Sequence, residues 1–115
     1  MRMIVAVIQP TKLSIVRDAL SRIGVERMSV CDAMGHGRQR GQTSTYRGIE
    51  YRTDLLRKVV LEIVVNDDFL EPTLEVLGRA AKSGSQGEIG DGKVFVMPVL
   101  ETYDLGTETS GPGAV

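Results

Sequence analysis

Four apolar stretches divide the chain. Met3 to Ile8 reads MIVAVI, a short β-rich run halted by Pro10, and predicts a strand buried on both faces. Leu13, Val16, Ala19, Leu20 and Ile23 recur at helical spacing. Thr11 stands where a cap belongs, and Gly24 supplies the stop. Val25 to Met34 predicts a second strand. Lys58 to Val65, KVVLEIVV, is the strongest strand signal. Asn66-Asp67-Asp68 then caps a helix carrying Leu70, Leu74, Leu77 and Ala81 on one stripe, with Pro72 expected in its first turn. Lys93 to Leu100, KVFVMPVL, predicts the fourth strand.

Between these elements lie two segments without clean periodicity. Gly35 to Asp54 is polar and holds Gly35, Gly37, Gly41 and Gly48. A connection of that length in a small domain is characteristically functional. Ser83 to Gly92 is a glycine-rich turn, and Gly106 to Val115 reads as a loose polar tail. The order is βαβ, loop, βαβ. That is a ferredoxin-like α+β fold, with two helices on one face of a four-stranded antiparallel sheet. Its first, third and fourth strands are apolar on both faces. Val59, Leu61, Ile63 and Val65 point one way, and Val60, Glu62 and Val64 the other. Burying each Val, Leu or Ile is worth roughly 1.5–3 kcal/mol, so the second face predicts self-association, with Glu62 in an interface or a site.

The 115 residues suffice for one domain. One cysteine, Cys31, excludes an intramolecular disulfide, and one histidine, His36, argues against a metal site or histidine catalysis. The net charge of −1 gives no overall attraction to nucleic acid. With neither a signal-peptide pattern nor a membrane-length apolar run, the expected compartment is the cytoplasm. Charge is uneven, however. His36 to Lys58 carries six Lys/Arg against Glu50 and Asp54, whereas Val99 onward has Glu101, Asp104 and Glu108 and no base. The basic loop suits an anionic ligand or partner, or is a solvated loop.

Gly87 to Lys93, GEIGDGK, has the GxxxxGK spacing of a phosphate loop. Val94 follows instead of Ser or Thr, and the segment leads from a helix into a strand, so it is no Walker motif. Closely spaced glycines can still turn backbone N–H groups toward an anion, with Lys93 adding charge. Gly35-His36-Gly37-Arg38-Gln39-Arg40-Gly41 is a second glycine-and-base cluster. No nucleophile–base–orienter set is visible, and an enzyme is not expected.

Taken together, IQPTKLSIVRDAL, GHGRQRG, YRGIEY, LEIVVNDD and IGDGKVFV resemble the PII signal-transduction family, from Met1 to Val99 and without a gap until Ser83. The resemblance implies a homotrimer with adenine nucleotides in clefts between subunits. By position, Ser29, Gly35, Gly37, Arg38, Gln39, Glu62 and Val64 would line the cleft. Gly90, Asp91, Gly92 and Lys93 would hold phosphates. Gln39 and Lys58, with Arg40 and Gly41, would take an oxyanion effector, 2-oxoglutarate beside magnesium-ATP or bicarbonate. Tyr51 matches a tyrosine that some bacteria uridylylate. Residues 37–54 would form the effector loop docking on a transporter or metabolic enzyme, the only route to a membrane.

Departures from the family pattern matter. Three residues are inserted after Gly84, and Glu88 replaces a frequent lysine. An RIRTGE-like segment ordinarily brings two arginines to the phosphates, and the matching positions are Asp104 and Gly106. Each lost charge-assisted hydrogen bond is worth roughly 1.5–3 kcal/mol, so ADP or AMP is expected to be favoured over ATP. A divergent branch associated with carboxysomes and bicarbonate transporters is similar in this respect. Two alternatives stand beside it: a conventional nitrogen regulator sensing ATP and 2-oxoglutarate, and a ligand-free scaffold of the same fold.

Overall fold

The structure is a computed structural model. It describes the backbone of residues 1–36, 43–46, 49–52 and 55–115, and the side chains of 1–35 and 56–115. In chain order the elements are β1 (Arg2–Ile8), α1 (Leu13–Arg22), β2 (Ser29–His36), β3 (Thr43–Tyr46), β4 (Ile49–Arg52), β5 (Leu55–Val65), α2 (Asp67–Ala80), β6 (Gly92–Pro98), β7 (Tyr103–Asp104) and β8 (Thr109–Ser110). The main sheet has the order β2-β5-β1-β6 with every pairing antiparallel. This is the ferredoxin-like α+β arrangement expected from the apolar pattern.

Strand alternation sorts the residues. Ile4, Ala6 and Ile8 lie opposite Ile63, Leu61 and Val59. All six are buried, together with Val16 and Leu20 of α1 and Val76 and Leu77 of α2. On the other face Val5 stands between Glu62 and Phe95, and Met3 between Val64 and Met97. Among the described residues nothing covers that face at Phe95, which is 53% exposed, or at Glu62, which is also exposed. The edge strand β6 is exposed along its whole length.

Gly24 stops α1 as expected. It takes φ +86°, its N–H bonds to the Ser21 carbonyl at 3.0 Å, and the Val25 N–H bonds to Leu20 at 3.0 Å. This is a Schellman closure whose apolar pair, Leu20 and Val25, is buried. It also corrects the second strand, which begins at Ser29, because Val25 is spent closing the helix.

Other expectations shift similarly. Thr11 lies inside a 3₁₀ turn, Pro10–Lys12, and caps nothing. Asn66 precedes α2 in extended conformation, but its Nδ2 donates to the Pro112 carbonyl at 3.1 Å instead of capping. The N-terminus of α2 is instead met by the Met1 ammonium, which donates to Asp67 Oδ1 at 2.9 Å. That ammonium, with Arg2 beside it, holds the Asp67 carboxyl below its usual range. Pro72 sits beyond the first turn, inside α2. There it removes one backbone hydrogen bond, while the buried Thr73 hydroxyl donates back to the Phe69 carbonyl at 2.6 Å.

The long segment between β2 and β5 contains the β3–β4 pairing, Thr43 to Tyr46 against Ile49 to Arg52, which its lack of apolar periodicity conceals. The C-terminal segment is ordered, contrary to the loose tail expected. Tyr103 and Asp104 pair with Ser110 and Thr109. Asp104 Oδ1 accepts the N–H groups of Gly106 at 2.8 Å and Thr107 at 3.1 Å. Ala114 is buried. Local hydrogen bonding, which a hydropathy pattern does not record, holds this tail.

Candidate functional site

The connection from α2 into β6 is built around one carboxylate. Asp91 Oδ2 accepts the N–H of Ser83 at 2.9 Å and of Glu88 at 2.8 Å. Its Oδ1 accepts Gln9 Nε2 at 3.2 Å. Two ends of the loop and the end of β1 are thus tied to one side chain. The Ser83 amide, with the Glu88 amide and the charge of Lys12 assisting, holds the Asp91 carboxyl below its ordinary 3.8. A depressed value means this ordering is complete above the ordinary pKa and is lost as pH falls through the lower folded value. The Ser83 and Glu88 amide resonances are therefore expected to titrate with a midpoint below 3.8. A midpoint at or above that value would contradict the arrangement.

Glycines make the turn possible. Gly87, Gly90 and Gly92 take φ of +76°, +96° and +132°. At Gly92 an added Cβ would lie 1.9 Å from the Val7 carbonyl oxygen, so backbone crosses backbone there. Lys58 then joins the two segments that the sequence set apart. Its Nζ donates to the Gly90 carbonyl at 2.6 Å. Gly35 is directly adjacent, since a Cβ there would lie 3.9 Å from Lys58 Cγ. Gly35, Lys58, Gly90, Asp91 and Gly92 consequently form one cluster at the end of the sheet where β5 and β6 meet the loop.

Lys93 leaves this cluster exposed, opposite Val7 in β1. Beside it, a cleft of about 590 Å³ opens between the loop, the end of β1 and the C-terminal half of α2. Ser29 and Glu62 are cross-strand partners further along β5, on the same face as Val64. Four residues separate Lys58 from Glu62, roughly 13 Å of strand. Lys58, Glu62 and Val64 thus share one face of β5, with Ser29 beside Glu62 on the neighbouring strand.

Gly37, Arg38, Gln39, Arg40 and Gly41 lie outside the described residues. The Tyr51 backbone pairs with Ser44 in the β3–β4 ribbon, and its side chain is likewise outside them. Sequence reasoning missed Gln9, which supports Asp91, and missed that Asp91 works inward on the loop. Its only signal was a polar residue ending an apolar strand immediately before a proline. The position matched to a phosphate-binding arginine, Asp104, turns its carboxylate onto its own turn. The Thr107 and Gly106 amides hold it below the usual carboxylate range.

An antiparallel βαββαβ sheet with a glycine-rich, lysine-bearing loop at one end defines a ferredoxin-like protein. Comparison with known proteins is more specific. The family model "Nitrogen regulatory protein P-II" matches residues 1–109. The chain is 42% identical to nitrogen regulatory protein GlnK1 of Methanosarcina mazei over 115 residues, all of this chain and 97% of that one. It is 43% identical to nitrogen regulatory protein P-II of Bradyrhizobium diazoefficiens across the whole of both chains. Against nitrogen regulatory protein P-II 2 of Methanothermobacter thermautotrophicus the figure is 45%, over all of this chain and 97% of that one. The chain belongs to the P-II family of nitrogen regulatory signalling proteins. Among the described residues no helix is long and apolar enough to cross a membrane.

Proposed function

We propose that this protein is a trimeric, cytoplasmic, non-enzymatic signalling protein that binds adenine nucleotides between subunits, favours ADP or AMP over ATP, and signals through residues 37–54 to a transporter or metabolic enzyme. The observation that carries this reading is the Lys58 Nζ bond to Gly90 at 2.6 Å, which places a cation from β5 against the phosphate-loop backbone. Lys93 supplies a second cation, and Gly35, Glu62, Ser29 and Val64 supply the rest of one wall. The preference for fewer phosphates rests on Asp104 and Gly106, where two arginines would otherwise stand. Magnesium would arrive on the nucleotide's own oxygens, because both Asp91 oxygens already accept protein donors. The uncovered apolar face supports the trimer.

Lys58, with Gln39, Arg40 and Gly41, is the place for a small oxyanion. Bicarbonate is the reading we favour beside a diphosphate site. The names of the relatives favour a second reading, a conventional nitrogen regulator responding to ATP with 2-oxoglutarate. The two separate in a titration of ADP and of ATP with each oxyanion present. Tighter ADP binding with bicarbonate and no response to 2-oxoglutarate supports the first, and tighter magnesium-ATP binding with 2-oxoglutarate replaces it with the second. In either case Lys58→Met is expected to weaken the oxyanion response about tenfold or more, one charge-assisted bond being lost. An undiminished response would remove Lys58 from the site. Whether Tyr51 carries a nucleotidyl group is read by mass spectrometry of protein from nitrogen-limited cells, and an unmodified Tyr51 there would count against it.

A further inference from the structure

Arg27 belongs to no motif of the sequence, yet the fold gives it a fixed place. The connection from α1 to β2 is anchored on both sides of it. Val25 is buried where it closes α1, and Met28 packs against the core. Ser29 then opens β2 opposite Glu62. Continuing that register by two residues brings position 27 opposite Val64, on the face that Ser29 and Glu62 share. Arg27 and Val64 do line one hollow, of about 240 Å³, together with Phe69. The Arg27 side chain is exposed and, among the described residues, has neither a hydrogen bond nor an ion-pair partner. The neighbouring Glu26 is turned back to α1, where its Oε1 accepts the Ser21 hydroxyl at 3.2 Å. On its other side Arg27 comes within electrostatic reach of Asp104. After the Thr107 and Gly106 amides, its charge is a further cause of the low Asp104 carboxyl. One free guanidinium thus stands between Val64 and the turn that carries positions 104 and 106.

We infer that Arg27 is a specificity-determining residue of the nucleotide cleft, its guanidinium binding the phosphate nearest the base, which AMP, ADP and ATP share. The inference rests on the nucleotide reading proposed above and deepens it. On that reading Ser29, Glu62 and Val64 take the base, so a cation beside Val64 meets the first phosphate before the last. A guanidinium suits the task, because its planar fork holds two phosphate oxygens at once. It has no partner to give up, so binding breaks no existing ion pair. Lys58 and Lys93 keep their place at the glycine-rich loop and are not needed here. The charge at position 27 strengthens every adenine nucleotide alike, whereas Asp104 and Gly106 offer the terminal phosphates no cation. The chain thereby holds its charge where the number of phosphates does not matter, which is what a preference for ADP or AMP requires.

The test is calorimetric titration of the full chain, Arg27→Gln and Arg27→Lys with adenosine, AMP, ADP and magnesium-ATP. Arg27→Gln should weaken all three nucleotides by one common factor of about tenfold or more, the loss of one charge-assisted bond, and leave adenosine unchanged. Arg27→Lys should fall between the two, since an ammonium keeps the charge but not the fork. Removal of an exposed side chain without partners is not expected to alter the melting temperature. AMP affinity that ignores Arg27→Gln, an equal loss for adenosine, or a loss confined to ATP would each overturn the role of Arg27 while the nucleotide reading stands. A wild-type protein that takes none of the nucleotides would overturn both.

Discussion

Gly92→Ala is expected to destabilise the protein by about 2–6 kcal/mol, combining a strained backbone with an overpacked contact. Gly92 takes φ +132°, and its new Cβ would fall 1.9 Å from the Val7 oxygen, inside the β1–β6 pairing. The oxygen belongs to a central strand and has no freedom to withdraw. Melting temperature should drop by at least about 10 °C for a domain of this size. Gly87→Ala is the informative comparison. It too has positive φ, but its nearest neighbour is the Lys82 side chain at 3.1 Å, which can move aside. Its cost should be about 1 kcal/mol. Equal melting temperatures for wild type and Gly92→Ala would contradict the observed crossing of the two strands.

Gly106→Arg is expected to raise ATP affinity by about 10- to 100-fold while changing AMP affinity little, since one charge-assisted bond to a terminal phosphate is worth roughly 1.5–3 kcal/mol. Gly106 is the better of the two positions to restore. Its φ is not positive, and a Cβ there meets only Asp104 Oδ1, at 3.3 Å. Asp104→Arg would add a cation but also remove the acceptor that two turn amides use. Competition titration of the Gly106→Arg protein checks this. An unchanged ATP-to-AMP ratio would mean that the hairpin does not reach the terminal phosphates.

Patterns of apolar residues were enough to read the four sheet strands, both helices and the helix-facing stripe Val59, Leu61, Ile63 and Val65. These depend on period, and period is written in sequence. The missed features depend on single hydrogen bonds. Val25 looked like strand because a residue closing a helix by an apolar contact has the same hydropathy as one in a sheet. The tail looked loose because it is polar, yet Asp104, Glu101 and Asn66 bind its backbone amides and carbonyls. At the site, the motif GDGK drew attention to the right loop, and the resemblance singled out Lys58 and Gly35. Nothing in the spacing revealed that Asp91 serves the loop itself, because its partners, Ser83, Glu88 and Gln9, come from both ends of the loop and from β1.

The most direct test of the nucleotide site is calorimetric titration of the purified protein with ADP and with magnesium-ATP under the same conditions, without other effectors. ADP binding tighter than ATP, with both weakened by Lys93→Ala, is the predicted result. ATP binding tighter than ADP, or binding of either that ignores Lys93, would contradict the account.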